Sequence, residues 1–237
     1  GTNLLLISLV TGAYFLLGLL GLLYRVPGDP IGIIMPSAGL ALATVLLFGN
    51  RVLVAVVIGN FCINIWFFGF NPAYFAYYAV SAFGAALSAW IGCTLVRYSI
   101  GFPNPLLEGR QILIFFWNAG PISCLVSAVI SALAMRDSGL ISLQEMPLTS
   151  LSWWVSDILG VLIFTPLTLI LFAEPHRIWC RRRIAVGLPM VLTFISVTSL
   201  FFFLENVAKT QYSEQLKEKT VILAEAIKSR IQLDIVT

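Results

Sequence analysis

"SWWVSDILGVLIFTP", residues 152–166, places a carboxylate, Asp157, inside a stretch otherwise apolar enough to span a membrane, close behind two tryptophans. A charged side chain within hydrocarbon costs roughly 2.5–3.5 kcal/mol on insertion scales, so it generally has a partner, a water-filled cavity or a task. The apolar run extends over 150–173, and a helix of that length crosses about 30 Å of hydrocarbon. Asp157 is expected about one and a half turns inside the outer end of its helix, where water can wet it. A buried hydrogen-bond node and a site that senses a ligand or protons are the alternatives.

The rest of the chain is of the same kind. Of its residues 59% are hydrophobic and 11% charged, with a mean hydropathy of +0.95, whereas soluble domains are about a quarter charged. This is the composition of an integral membrane protein. Much of the net charge of +3 gathers at Arg177, Arg181, Arg182 and Arg183, beside apolar segments. Such clusters orient membrane proteins, so the lipid bilayer and not nucleic acid is the expected partner. Cys62, Cys93, Cys124 and Cys180 show no CxxC or Cys/His spacing, so reduced thiols without a metal or other cofactor are expected. No basic n-region precedes the first apolar run, so no cleavable signal peptide is evident.

Seven spans are predicted: 3–24, 36–49 with a backward extension, 52–70, 74–96, 111–135, 150–173 and 185–204. The second is preceded by "VPGDPIGIIMPSAG", whose prolines and glycines predict a bent or re-entrant piece ahead of a helix starting near Pro36. The expected fold is therefore an all-α membrane bundle of seven helices, with the re-entrant piece as a candidate eighth element. If the basic loop 176–184 is cytoplasmic, Arg51, Arg97 and Arg110 share its side, which satisfies the positive-inside rule and puts the amino terminus in the cytoplasm. From Glu205 the chain turns polar, with Leu216, Thr220, Leu223, Ile227 and Ile231 forming one helical stripe. Residues 205–237 are read as an amphipathic extracytoplasmic helix leading towards a further domain.

No catalytic constellation is evident, and no enzyme activity is expected of this span. The lone histidine, His176, falls in the basic loop as a solvated side chain. Asn60 and Asn64 stand four apart and share a helix face. Asn118 precedes a kink predicted at Pro121, and Ser37 sits in the broken second segment. Interhelical hydrogen bonding is the plain reading of these side chains, and a ligand site the functional one. Trp153 and Trp154 read as interfacial-belt residues or as walls of a pocket beside Asp157. Gly84, Ala85, Ala86, Ser88, Ala89 and Gly92 make a small-residue surface for close helix packing. Prolines 121, 166 and 189 should kink their spans, with Thr165 placed to take up a freed backbone bond.

Two blocks carry a family resemblance. "IMPSAGLALATVLLFGNRVLVAVVIGNFCINIWF" combines a Pro-Ser-Gly-type start, a small-residue helix, an arginine turn and then Gly-x-Phe with an Asn, while "WWVSDILGVLIFTPLTLI" combines tryptophans, Asp, Gly and Thr-Pro. Together they resemble the first membrane-associated sensor (MASE) family of bacterial signalling proteins, over roughly residues 1–175. The usual Trp-Pro-Pro-Ser start of that family reads Met35-Pro36-Ser37 here. The tail is similar to the lead-in helix of the CHASE type of extracytoplasmic sensor. The resemblance implies an input module placed ahead of a histidine kinase or diguanylate cyclase, and it draws interest to Pro36, Ser37, Gly39, Gly59, Asn60, Asn64, Trp154, Asp157, Gly160 and Pro166.

The resulting expectation is a sensory domain of the bacterial inner membrane. A small ligand or membrane cue would bind among Pro36, Ser37, Asn60, Asn64, Asn118, Trp153, Trp154 and Asp157, and a homodimer would relay the change. A small transporter or its substrate-binding subunit is one alternative, and a passive anchor and dimerisation module is another.

Overall fold

The computed structural model describes residues 2–23, 25, 32–102, 108–173, 187–192, 194–196 and 199. Gly1–Leu192 forms one compact unit; of the second, Thr193–Thr237, the described residues are helical. The basic loop 176–184, most of the predicted span 185–204 and the whole tail 205–237 lie outside the described residues.

The described residues form helices α1 (Thr2–Leu23), α2 (Pro36–Phe48), α3 (Leu53–Phe68), α4 (Phe75–Ser99), α5 (Gly109–Trp117), α6 (Ser123–Asp137) and α7 (Met146–Phe172). No strand occurs among them. Five of the helical stretches are long and apolar enough to cross a membrane, with α5 and α6 joined into one span, Gly109–Asp137. Among the described residues the count is five, plus the short apolar helix α2; the seventh predicted span lies mostly outside them. At 13 residues and about 1.5 Å each, α2 reaches roughly 20 Å and cannot cross alone. It starts at Pro36, as the sequence suggested, because proline suits the first helical turn. The re-entrant reading rests on residues 26–31, outside the described residues.

Local chemistry sets the boundaries. Gly49 and Gly69, at φ of 76° and 80°, take the left-handed conformation that ends α2 and α3. Asn118–Ile122 winds as one π turn around Pro121, so the expected kink appears as a bulge inside a continuous span. A reciprocal cap opens the approach to α7: Glu145 Oε2 accepts the Ser142 N–H at 2.8 Å, and Ser142 Oγ accepts the Glu145 N–H at 3.3 Å. These bonds hold the Glu145 carboxyl below its ordinary value of 4.5.

Helices in lipid associate through close packing and hydrogen bonds, because lipid tails are as apolar as leucine. The tightest crossing joins α2 to α7. Gly39 lies on the backbone of Gly160, and a methyl group on Gly160 would overlap the Met35 carbonyl. Met35 N donates to Ser156 O at 3.1 Å, Ser156 Oγ to the Gly32 carbonyl, and Thr165 Oγ1 to Gly39 O at 3.0 Å. Thr165 therefore serves the α2–α7 contact and not the backbone freed by Pro166, the role expected for it. The other end of α2 is held by arginines: Arg51 Nε donates to Phe48 O at 2.8 Å and an Arg97 amino group to Leu46 O at 3.0 Å, cations at a helix carboxy end. The small-residue face of α4 meets α6, where Gly84 receives Ile130 and Gly92 receives Ser123.

Because α7 begins at Met146, Asp157 lies about 16 Å along a helix of roughly 40 Å. It is 7% exposed. The shallow, water-wetted placement drawn from sequence is therefore corrected: the cap at Ser142 starts the helix earlier than the apolar run does.

Two outcomes follow from this packing. Gly160→Ala should destabilise the bundle by about 1–3 kcal/mol through overpacking, while Gly12→Ala, with open space around it, should be neutral in thermal unfolding in detergent. Glu145→Ala should speed amide exchange at the start of α7. The ratio to wild type should fall towards one as pH drops below 4.5, because a carboxyl held low in the folded state stabilises only while ionised.

Candidate functional site

Asp157 opens onto a cavity of about 60 Å³ at the meeting point of α1, α2, α3, α4, α6 and α7. Each helix contributes a polar side chain. Tyr14 comes from α1, where Gly59 on α3 leaves room for its ring. Ser37 comes from the first turn of α2, Asn60 and Asn64 from α3, Ser81 and Ser88 from α4, and Ser123, Ser127 and Ser131 from α6.

These groups form a ladder across the bundle. Asn60 Nδ2 donates to the Tyr14 hydroxyl at 3.2 Å, and Asn60 Oδ1 accepts from Asn64 Nδ2 at 2.8 Å and from Ser81 Oγ at 3.5 Å. Ser81 Oγ lies 3.1 Å from Ser131 Oγ. One turn along α6, Ser127 Oγ stands 2.7 Å from Asp157 Oδ2. Deeper still, Ser88 Oγ donates to the Ser123 carbonyl at 2.8 Å, and Ser123 Oγ to Ala119 O in the π turn. Buried polar groups need such partners, since each unsatisfied one costs about 1–3 kcal/mol.

Asp157 is the one formally charged residue of this lining. The amino end of α2 lies over the Ser156–Gly160 turn, and its partial positive charge favours an anion there. No group of three His, Cys, Asp or Glu side chains suited to a metal occurs among the described residues. The site offers hydroxyls, one amide pair, one carboxyl group and a little space. That equipment suits binding.

The expected residues divide. Ser37, Asn60, Asn64, Trp153 and Asp157 come together around the cavity. Pro36 is buried at the start of α2 without lining it. Trp154 turns away, its indole donating to the Pro121 carbonyl at 2.8 Å and so satisfying a backbone group near the π turn. Asn118 donates to Ser99 Oγ at 2.8 Å, tying the start of the π turn to the end of α4 apart from the cavity. Tyr14 and the serines were missed. Their signal was legible, because Ser123, Ser127 and Ser131 recur at four-residue steps and Ser81 and Ser88 at seven, each set on one helix face.

Ser127→Ala and Asp157→Ala should couple by about 0.6–1.7 kcal/mol in a double-mutant cycle. Asn118→Ala should add independently to either, as thermal unfolding of the four combinations would show.

No curated protein and no solved structure gives a match to the chain. The family model MASE1, a membrane-associated sensor domain, matches residues 4–217. MASE1 domains are sensory, non-catalytic membrane modules of signalling proteins. With most of its length covered by that match, and with an all-helical bundle of membrane-spanning length, the chain belongs to the MASE1 family of membrane sensory domains.

Proposed function

We propose that this domain senses a small ligand in the Asp157 cavity and passes the event on by a shift of α2 against α7. The observation that carries the reading is the position of the cavity. It lies beside the α2–α7 crossing, so a change in its occupancy acts on the contact that seats Met35 and Ser37. Such a ligand biases output only through unequal affinity for two arrangements of the bundle. A glycine-to-glycine crossing, with Thr165 and Ser156 bonding across it, supplies contacts that are made or lost together.

On this reading the domain sits in a bacterial inner membrane with its amino terminus in the cytoplasm. A homodimer carries the shift through the seventh span and the tail, by way of a CHASE-like periplasmic region, to a histidine kinase or diguanylate cyclase. One observation favours a transport reading as second choice: α2 is a half-length helix whose amino end lies beside an intramembrane carboxyl group, as in transporters with discontinuous helices. Solute flux in proteoliposomes separates that reading from sensing.

The test is to fill the cavity. Ala85→Leu adds three carbons to a lining position, while Phe83→Leu changes a neighbour that is 61% exposed. In the complete signalling protein, Ala85→Leu should change basal output by about 5-fold or more and blunt the response, with Phe83→Leu like wild type. A folded, membrane-inserted Ala85→Leu protein with unchanged output would defeat the proposal.

A further inference from the structure

The cavity holds a formal negative charge without a formal positive one. Asp157 is the sole Asp, Glu, Lys, Arg or His in the lining. The other titratable groups facing it are Tyr14 from α1 and Cys124 from α6, neither of which brings positive charge. The lining residues of α2, α3 and α4 are apolar, hydroxyl or amide. The amino end of α2 offers Asp157 only a partial positive charge, and a buried carboxylate without a formal counter-charge is disfavoured, so Asp157 carries either a proton or a bound cation.

The hydrogen bonds around Asp157 suit a protonated carboxyl group. Ser127 Oγ stands 2.9 Å from the Cys124 carbonyl and 2.7 Å from Asp157 Oδ2, two acceptors for a hydroxyl with one proton. Both contacts are satisfied together when the carboxyl group supplies the proton between Asp157 and Ser127. The second carboxyl oxygen has no hydrogen-bond partner among the described residues.

Size and donor chemistry then identify the alternative occupant. A volume of about 60 Å³ has room for about two to four waters, and so for a monatomic ion with part of its hydration shell. Carboxylate, hydroxyl and amide oxygens are hard donors suited to hard cations, and a single carboxylate matches a single positive charge. We propose that the Asp157 cavity is a binding site for a sodium-sized monovalent cation, which replaces the proton of Asp157. This rests on the reading of the cavity as the sensory site and names its ligand class. The exchange balances: the carboxyl O–H bond breaks, one proton leaves to solvent, and the carboxylate takes the cation. Ser127 keeps its proton on the Cys124 carbonyl and turns a lone pair to the ion.

The experiment titrates the full chain, purified in neutral detergent, with sodium, potassium, lithium or choline chloride at constant ionic strength. Thermal midpoint and proton release in weak buffer are read at about pH 6, 7 and 8. The expected result is a midpoint raised by an alkali cation and not by choline, one proton released per cation bound, and an apparent Kd falling up to about tenfold per pH unit while Asp157 starts protonated. Asp157→Asn should fold, its amide donating to Ser127 in place of the carboxyl proton, and should lose the selective response. A wild-type midpoint shifted alike by all four salts, or binding without proton release, overturns the cation site. The sensory reading would then stand or fall separately, on whether Ala85→Leu changes output.

Discussion

The contact of Gly39 with Gly160 is the constraint around which the rest of the bundle is arranged. Two backbones approach there more closely than any side chain would allow, and in lipid that approach supplies packing that solvent exclusion cannot. Its consequence is positional. The amino end of a helix too short to cross a membrane is pinned part-way along α7, one turn from Asp157. The carboxy end of the same helix is tied by Arg51 and Arg97 to the starts and ends of neighbouring spans. Helix α2 is thus held at both ends by polar bonds and along its middle by apolar contact.

The cavity follows from that placement. Six helices converge where α2 begins, and small side chains on α4 and α6 leave space that larger ones would have filled. A void in lipid-like surroundings is stable when its lining carries hydrogen-bonding groups that satisfy one another. The ladder from Tyr14 through Asn60, Ser81 and Ser131 does so with neutral groups. Asp157 differs because no cationic side chain of the lining answers it.

Several features were legible from residue type alone. The apolar runs located the long helices, since roughly 20 apolar residues admit few other solutions in lipid. Pro36 announced the start of α2, and the four-residue spacing of Asn60 and Asn64 placed both on one face. Other features misled for identifiable reasons. The second predicted span counted the residues ahead of Pro36 together with α2, but the described ones, 32–35, are not helical, which leaves thirteen helical residues. Hydropathy also began α7 near 150, because the cap at Ser142 and Glu145 is polar and lies outside the apolar run. Trp154 and Asn118 looked like site residues by type, yet each satisfies a local group instead.

The sequence by itself determined the medium, the helical class and the family, because these depend on composition and on short spacings along one chain. It also flagged Asp157, since a carboxylate in an apolar run is anomalous wherever the helix lies. Only the tertiary structure decided that Asp157 is buried near mid-helix, that five serines from two other helices share its cavity, and that Trp154 does not. Those relations depend on how helices rotate and cross. The rotation is set by glycine contacts between residues 39 and 160, a separation that no local periodicity can encode.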